Sequence, residues 1–327
     1  NHHNQYAPLA GLPNLTEAVV NKTNQLYKSN YSTDEVCITA GATQAIFTSL
    51  AASIHPGDEV IVLKPAYDCY EPAVELFGGK PIPVEMKAPN YEIDWNEVEA
   101  KITSKTKMIM INSPHNPTGK VFTDADMQAL IQLVQNTNIL ILSDEVYEHM
   151  TFDGRTHLSV AKYPELQQRS FLTASFGKTF HVTGWKLGYV LAPKMLMTEF
   201  KKVHQYNVFC VNHPMQVAIS QYIEDENTYL SIPEFYQQKR DYFLSLIKNS
   251  RFEFTPSEGT YFQMANYSAI SDEKDTDFTL RLIKEVGLAT IPVSVFNKDQ
   301  KCRKMIRFCF AKTDETLAEA AKIINQI

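Results

Sequence analysis

The segment Lys107-Met-Ile-Met-Ile-Asn-Ser-Pro-His-Asn-Pro-Thr-Gly119 joins an unbroken apolar run to a loop of polar residues and prolines. A second segment, Ile139-Leu-Ile-Leu-Ser-Asp-Glu-Val-Tyr147, repeats this pattern further along the chain. Apolar runs without alternation are typical of strands that are covered on both faces, as in parallel or mixed α/β sheets. The two segments therefore predict two buried strands, each followed by a polar loop.

Three more runs of the same character lie on either side of these segments. They are residues 59–63, 170–173 and 188–192. Helical patterns fall between the strands, one at residues 43–54 and one that begins near Thr123, where Asp126 completes a capping pattern. Strands and helices that alternate in this way predict an open α/β layer fold.

The pattern changes after about residue 209, where longer helical stretches surround short β-like runs. The predicted helices are residues 214–223, 234–247 and 277–286, and the β-like runs are residues 252–254, 260–264 and 305–310. This arrangement predicts a second, smaller α+β domain.

The composition argues against several classes of function. The net charge is −6 and the Lys and Arg residues are scattered, whereas nucleic-acid phosphates select basic surfaces. The apolar runs are too short to span a bilayer, and no signal-peptide pattern opens the sequence. The 5 cysteines are odd in number and include no Cys-x-x-Cys pair, which favours a reduced protein. We therefore expect a cytoplasmic protein.

Several familiar catalytic motifs are absent from the sequence. Gly177-Lys178-Thr179 resembles the end of a P-loop, but Leu172 occupies the position of the required earlier glycine. No Gly-x-Gly-x-x-Gly follows a predicted strand, and neither His-Glu-x-x-His nor Gly-x-Ser-x-Gly occurs. Nicotinamide binding and these hydrolase chemistries are not indicated, and we predict no metal site.

The segment from Ser175 to Lys186 is apolar, contains glycines and carries two lysines. A buried lysine such as Lys178 can act as a nucleophile or a base, because burial weakens its preference for the charged form. Ser175 and Lys186 can bind an anion such as a phosphate. An ordinary loop with surface lysines explains the segment equally well when it is considered alone.

Asp144 follows the predicted strand at residues 139–142. Open α/β sheets bind ligands outside the carboxyl ends of their strands, so this aspartate is a candidate site residue. Its carboxylate can pair with a protonated pyridine nitrogen and keep such a ring an electron sink. The alternative role, a cap for the next helix or turn, is the better interpretation of an isolated aspartate.

Two further segments offer polar groups at strand or helix ends. Asn116 lies between two prolines in the loop after residue 111, where its amide can donate a hydrogen bond to a phenolate oxygen. Gly41-Ala42-Thr43 opens a predicted helix, and free backbone N–H groups at helix starts bind phosphate. A tight loop and an ordinary helix start remain the alternatives.

Taken together and in this order, these segments resemble the class I and II aminotransferases of pyridoxal phosphate (PLP) fold type I. The most specific matches are residues 112–119, 143–147, 175–178 and 306–310. Residues 4–6, 67–72, 177–185 and 307–310 are most similar to the methionine aminotransferase and kynurenine aminotransferase group. The resemblance implies an α/β fold, with a large domain that holds a mostly parallel mixed sheet between helices and a smaller α+β C-terminal domain.

The resemblance also implies how the chain is divided. Residues 1–13 would form an N-terminal arm that contacts a dimer partner, residues 14–215 a large PLP-binding domain, and residues 216–327 the small domain. Related proteins carry a further N-terminal stretch before the segment that matches Asn4, and that stretch contributes to the substrate pocket and the dimer. We expect a homodimer without nucleic-acid or membrane partners.

Residue roles in cofactor binding follow from the same resemblance. Lys178 would hold PLP as a Schiff base and act as the catalytic base. Asp144 would pair with the pyridinium nitrogen, Asn116 and Tyr147 would donate hydrogen bonds to the ring oxygen O3′, and Tyr67 would stack on the ring. The remaining cofactor residues would hold the phosphate, and they are Ala42, Thr43, Ser175 and Lys186.

Two more roles involve the substrate and the second subunit. Arg307 would bind the substrate α-carboxylate beside Asn116, because a planar guanidinium can donate two parallel hydrogen bonds. Tyr6 would reach across a dimer interface to the phosphate of the neighbouring site. Many relatives carry Arg in place of Lys186 and a larger aromatic residue in place of Thr43, and neither difference removes the charge or the amide donors.

The implied reaction transfers an amino group from an L-amino acid to a 2-oxo acid by a ping-pong mechanism. Methionine, aromatic amino acids and kynurenine are the implied donors. A cysteine-conjugate β-lyase on the same scaffold and a PLP-binding module without catalysis are the alternatives. The sequence supplies aromatic residues for an apolar pocket but does not place them there, and they include Tyr31, Tyr70, Tyr91, Phe262 and Phe296.

Overall fold

The computed structural model describes residues 3–327. The strands of this part of the chain form two separate sheets. The strands are β1 Val36–Thr39, β2 Glu59–Lys64, β3 Lys80–Glu85, β4 Thr106–Asn112, β5 Leu140–Asp144, β6 Ser170–Ser175, β7 Gly188–Leu191, β8 Phe262–Asn266, β9 Ile291–Pro292 and β10 Met305–Cys309. The large sheet has the order β1-β7-β6-β5-β4-β2-β3, and the small sheet has the order β8-β10-β9.

Helices surround both sheets. They are α1 Pro13–Tyr27, α2 Ala42–Ser53, α3 Tyr70–Leu76, α4 Trp95–Lys101, α5 Asp124–Val134, α6 Pro164–Gln167, α7 Phe176–Thr179, α8 Lys194–Asn207, α9 His213–Tyr222, α10 Asn227–Leu230, α11 Ile232–Ile247, α12 Asp275–Val286 and α13 Asp314–Ile324. The predicted cap of α5 is confirmed, because the Thr123 hydroxyl accepts from the Asp126 N–H while the Asp126 carboxylate accepts from the Thr123 N–H. Over the described residues 3–327, no helix combines the length and the apolarity needed to cross a bilayer.

Pairing in the large sheet is parallel from β3 through β2, β4 and β5 to β6, and antiparallel where β7 meets β6 and β1. The predicted mostly parallel mixed sheet is therefore confirmed. Because β4, β5 and β6 run in the same direction, their carboxyl ends meet at one edge of the sheet. The next polar residues of the chain are consequently brought together there.

Both faces of the large sheet are buried, which explains why its central strands lack alternation. Val62 and Met110 point to the face covered by α2, α3 and α8, with Leu50 and Phe200 among their neighbours. The alternate residues, such as Ile61 and Ile109, face the layer that contains α1 and α5.

The edge strand β3 was not predicted from the sequence. Its residues Pro81 and Pro83 lower its strand propensity, and proline is confined to edge strands because it has no N–H to donate. Strand β3 lies at the end of the sheet, where its only strand neighbour among the described residues is β2. The prolines are therefore compatible with the position that the strand occupies.

The C-terminal part of the chain builds the small antiparallel sheet, with α11, α12 and α13 around it. Its apolar core is continuous with one face of the large sheet. The expected β-like run at 252–254 forms only an isolated bridge from Glu253 to Asn266. The expected boundary between residues 215 and 216 falls inside α9, which packs on α1, and the division into domains stays a prediction.

Candidate active site

A cavity of about 460 Å³ lies at the carboxyl edge of the large sheet, between this sheet and the small one. It brings together every sequence-predicted site residue except Tyr6. The predicted residues that line it are Ala42, Thr43, Tyr67, Asn116, Asp144, Tyr147, Ser175, Lys178, Lys186 and Arg307. Residues from distant parts of the sequence therefore form one site.

The strand register explains why the central polar residues meet. Asn112 at the end of β4 is paired with Asp144 at the end of β5, and Asp144 is paired with Thr173 of β6. Strand β6 ends at Ser175, and the short helix α7 carries Lys178 into the cavity one turn later. One edge of the sheet thus supplies a carboxylate, an amide and a lysine.

The Asp144 carboxylate is buried but has two hydrogen-bond donors. The Tyr70 hydroxyl donates to Oδ2 at 2.5 Å, and the Val146 N–H donates to Oδ1 at 3.3 Å. Burial raises the pKa of Asp144 to about 6, although the bond from Tyr70 works in the opposite direction. At neutral pH the side chain is therefore a buried carboxylate that faces a cavity, where it can pair with a cationic ring nitrogen.

Without added cofactor, the wild-type protein should lose stability as the pH rises, because Asp144 becomes ionised. We expect the substitution Asp144→Asn to abolish this loss. The pKa of Asp144 rises from 3.8 to about 6, so the folded state holds this proton more tightly than the unfolded chain does. This stabilisation is complete below about pH 4 and is lost as the pH rises through about 6, by about 3 kcal/mol in total.

Urea unfolding of both proteins at about pH 4 and about pH 7.5 measures the effect, since other titrating groups cancel in the difference. The free energy of unfolding of the variant should rise relative to the wild type at the higher pH. A difference that is the same at both pH values contradicts the raised pKa of Asp144.

Lys178 lies beside Tyr261, which in turn packs against Tyr147. Its Nζ is 3.1 Å from the Tyr261 hydroxyl, to which it can donate a hydrogen bond. The rings of Tyr147 and Tyr261 meet edge to face, with their centroids 5.4 Å apart. Burial, followed by the nearby Tyr261 phenol, raises the pKa of Tyr147 well above its ordinary value. Tyr147 is therefore a neutral hydrogen-bond donor at neutral pH.

The start of α2 and the residues around Lys186 form the positive end of the cavity. Gly41 caps α2 with φ of 79°, and a Cβ at this position would lie 3.6 Å from Lys186 Nζ. Gly188 allows β7 to pass close to the helix start, because a Cβ there would approach Ala42 N to 3.0 Å and Ala174 O to 2.5 Å. First-turn amides, the helix dipole and a lysine amine together favour a bound anion.

Arg307 lies at the opposite side of the cavity on β10. Its Nη1 donates to Asn116 Oδ1 at 2.6 Å, and its guanidinium is 3.8 Å from the centre of the Phe262 ring and 5.0 Å from that of Phe296. Burial lowers the pKa of Arg307, and its buried Nε has no hydrogen-bond partner among residues 3–327. Because this guanidinium lines the cavity and has no carboxylate partner among the described residues, it is suited to a carboxylate ligand.

Asn116 is oriented by its neighbours on both sides. Its backbone N–H donates to Asn112 Oδ1 at 2.8 Å, while its side-chain oxygen accepts from Arg307. The side-chain amide is consequently left to donate to a ligand in the cavity. The predicted aromatic residue Tyr67 lines the same cavity, with its hydroxyl 3.5 Å from Thr43 Oγ1.

Apolar residues that the sequence could not assign complete the walls. Phe262 and Phe296 line the cavity, together with Ile291 and Val295 at its more exposed side. Tyr70 lies behind Asp144. In contrast, Tyr31 and Tyr91 are buried in the core and do not line this cavity. The apolar walls restrict which substrate side chains fit.

Tyr6 lies outside the cavity of its own chain. Its side chain is 79% exposed, and its ring packs edge to face on Phe209 with centroids 5.3 Å apart. The predicted contact with a neighbouring site involves a second chain and stays a prediction. Residues 1 and 2 of the expected arm lie outside the described residues.

The fold and the cavity define an α/β enzyme whose site combines a lysine amine, a buried carboxylate and two separate places for anionic groups. The sequence model of the family described as Aminotransferase class I and II matches residues 1–324. The chain belongs to this family, and it is an amino acid aminotransferase.

Individual relatives agree with this family assignment. The chain is 43% identical to a methionine aminotransferase of Escherichia coli strain K12 over 99% of its own length and 84% of that protein. It is 35% identical to human kynurenine–oxoglutarate transaminase 3 over 98% of its length and 78% of the relative.

Solved structures show the same fold. A crystal structure from Escherichia coli, whose report identifies a methionine aminotransferase function, superimposes with a TM-score of 0.97 at 42% identity, covering 100% of this chain and 87% of the other. The N-succinyldiaminopimelate aminotransferase of Mycobacterium tuberculosis gives a TM-score of 0.95 at 30% identity, covering 99% and 86%. The predicted fold and enzyme class are therefore confirmed.

Proposed function

We propose that the chain is a PLP-dependent aminotransferase that moves the amino group of an apolar L-amino acid to a 2-oxo acid by a ping-pong mechanism. Methionine, aromatic and kynurenine-like donors are the proposed substrate class. The observation that carries the proposal is the single cavity in which Lys178, Asp144 and Arg307 meet.

The residues of the cavity fit PLP. Asp144 is a buried carboxylate facing the cavity, as a partner for a pyridinium nitrogen should be. Tyr147 and the Asn116 amide are donors for the ring oxygen, and Tyr67 can stack on the ring. The phosphate would lie at the positive end, and the proposed residues are Ala42, Thr43, Ser175 and Lys186. When bound, PLP supplies an electron sink for the negative charge that develops at the substrate Cα.

The side chains of the protein divide the remaining work. Lys178 anchors the cofactor and, once displaced by the substrate amine, removes the Cα proton at Nζ as a general base. Arg307 binds the α-carboxylate and orients the Cα–H bond toward that amine. The Tyr147 hydroxyl stays protonated and donates to the ring oxygen. Each role is a proposal that a single substitution can test.

The walls of the cavity support the proposed substrate class. Ile291, Val295 and Phe296 form the apolar side near Arg307, and Phe262 packs on the guanidinium. A side chain of a substrate held by Arg307 would therefore lie against apolar groups, whose burial favours thioether and aromatic side chains. Relatives that are named for methionine and for kynurenine support this choice.

A panel of amino donors, assayed against several 2-oxo acids, tests the proposal. We expect methionine and aromatic donors to exceed aspartate in kcat/KM by about tenfold to a hundredfold, because a charged side chain loses its hydration against apolar walls. Initial rates should give the parallel-line pattern of a ping-pong reaction. Faster turnover of aspartate than of methionine would overturn the proposed substrate class.

The same assay separates the alternatives. A β-substituted cysteine as the donor releases pyruvate if the protein acts as a β-lyase, whereas transamination requires a 2-oxo acid. Pyruvate release that exceeds transamination would favour the lyase. A non-catalytic module would bind PLP and turn over neither substrate.

A homodimer is also proposed, with Tyr6 donating to the phosphate of the neighbouring site. The exposed pair Tyr6 and Phe209 supports an interface at this surface, since large exposed aromatic rings are typical of binding sites. The domain division at residues 14–215 and 216–327 and the cytoplasmic location are retained as proposals. All five cysteines are free, in keeping with a reducing compartment.

A further inference from the structure

The segment Gly259-Thr260-Tyr261-Phe262 carries the small sheet to the edge of the cavity. The Tyr261 hydroxyl lies 3.1 Å from Lys178 Nζ, and the next residue, Phe262, packs on the Arg307 guanidinium at 3.8 Å. Adjacent residues of one segment therefore contact the lysine and the arginine of the site.

The backbone of this segment is strained next to Tyr261. Thr260 has φ of 65°, in the left-handed region that β-branched residues rarely occupy. The preceding Gly259 lies so close to the main chain that a Cβ there would be 2.6 Å from Met150 O. Strain of this kind persists where the surrounding contacts determine the conformation, and it is concentrated at functional sites.

Hydrogen bonds on both sides hold the strained conformation. The Thr260 N–H donates to Met150 O at 2.9 Å, and the Phe262 N–H donates to Thr260 Oγ1 at 3.1 Å. The Phe310 N–H donates to Tyr261 O at 3.0 Å. The main chain around Tyr261 is thus hydrogen-bonded to the loop after β5 on one side and to the residue that follows β10, the strand of Arg307, on the other.

The Tyr261 ring is fixed as well. It packs against Phe262 at 4.7 Å, Tyr147 at 5.4 Å and Tyr236 at 5.8 Å between ring centroids. A lysine side chain has several rotatable bonds, and ordering it costs conformational entropy. Because the Tyr261 ring is already fixed, its hydroxyl can hold the Lys178 amine in one place with little further loss of conformational entropy.

We propose that Tyr261 is a positioning residue for Lys178, whose hydroxyl holds Nζ where it can reach the substrate Cα. The inference rests on the proposed function, because it requires Lys178 to act as the base. A purely structural role for Tyr261 is the competing interpretation, and it predicts that loss of the hydroxyl changes neither the Cα-deuterium isotope effect nor the pH at which the visible band changes.

The test compares Tyr261→Phe with the wild type, both loaded with PLP, and uses Tyr236→Phe as the matched control. The control removes the hydroxyl of a neighbouring tyrosine, and this hydroxyl forms no hydrogen bond with Lys178. Rapid mixing with the best amino donor of the panel measures the rate at which the visible absorbance of the bound cofactor is lost. The measurement is repeated with the donor deuterated at Cα, and a pH titration of the visible band is made without substrate.

We expect Tyr261→Phe to slow the single-turnover rate about tenfold, since one hydrogen bond to the base is lost. The Cα-deuterium isotope effect should rise because proton transfer becomes more rate-limiting. The pH at which the visible band changes should shift by about one unit, since this band reports on the nitrogen that the phenol contacts. The control should match the wild type in all three measurements.

A Tyr261→Phe protein that matches the wild type in rate, isotope effect and band pH overturns the positioning role and leaves the proposed function intact. A wild type that shows no visible band with PLP overturns both. A variant that loses thermal stability together with rate, at an unchanged isotope effect and band pH, supports the structural interpretation and overturns the proposal.

Discussion

Lys178→Ala is expected to abolish transamination, with a loss in kcat on the order of 10⁴-fold or more. The substitution removes both the covalent anchor for PLP and the proposed base, and general-base catalysis alone contributes roughly 10² to 10⁴. The protein with added PLP should also lose the visible absorbance band that depends on the lysine. Absorbance spectra and steady-state rates with the best donor measure both effects.

Lys194→Ala provides the control for this experiment. Lys194 is an exposed lysine at the start of α8 that forms a surface ion pair with Asp34 at 3.6 Å. Such pairs contribute little to stability, so activity and absorbance should be those of the wild type. Partial return of turnover on adding a small primary amine to Lys178→Ala would identify the missing group as a base. Full activity in Lys178→Ala would exclude the assigned role.

The second large effect is expected from Arg307→Leu, which should lower kcat/KM for amino acids about 10³-fold. Arg307 is half-buried, and its guanidinium lines the cavity between the Phe262 and Phe296 rings, so a carboxylate bound there would meet a partly desolvated partner. Removing one member of a buried charge pair costs about 2–5 kcal/mol. Arg307→Lys should recover only part of the loss, because a lysine amine cannot form the two parallel hydrogen bonds.

Although Arg307→Leu should lower kcat/KM, it should not lower the stability of the protein without ligands. The Arg307 guanidinium is half-buried, and among residues 3–327 its Nε has no acceptor. Replacing such a desolvated charge by an apolar group is often neutral or stabilising. The free energy of unfolding of Arg307→Leu without ligands should therefore equal that of the wild type or exceed it by about 1 kcal/mol. Urea unfolding measures this quantity, and a large destabilisation would mean that Arg307 serves the fold instead.

Arg303→Leu is the matched control, since this arginine lies nearby in sequence. Its Nη2 donates to Glu85 at 2.9 Å, away from the cavity. We expect kcat/KM within about twofold of the wild type and a small loss of stability, as for other partly exposed ion pairs. An equal loss of kcat/KM in both variants would point to a general effect of charge rather than to carboxylate binding.

Most strands of the large sheet could be predicted because they appear in the sequence as unbroken apolar runs. The β4 and β5 segments are buried on both faces, so tertiary structure and local composition agree. Strand β3 could not be found, because its prolines oppose a strand assignment that only its edge position permits. Residues 252–254 are apolar at alternate positions yet form one bridge, since pairing depends on a partner strand that local sequence does not reveal.

Some residues of the site could likewise be predicted from the sequence, and others could not. Asp144 ends β5 and Asn116 follows β4, and the rule that polar residues at the ends of parallel strands meet at one edge made them candidates. Their roles were assigned only through the resemblance to the aminotransferases. Tyr70 and Tyr261 were not assigned roles, because each reaches the site through a tertiary contact, with Asp144 in one case and Lys178 in the other. The left-handed conformation of Thr260 has no signal in the residue itself, which disfavours it.

The two prolines of β3 have a consequence for how copies of the chain can associate. A sheet edge with free N–H and C=O groups is a template on which a second chain can add a strand and begin to aggregate. At this edge Pro81 and Pro83 remove donors at alternate positions, and the exposed Lys80 adds a charge. Further growth of the sheet on this side is therefore blocked, and ordered assembly is directed to surfaces where side chains, rather than backbones, make the contact.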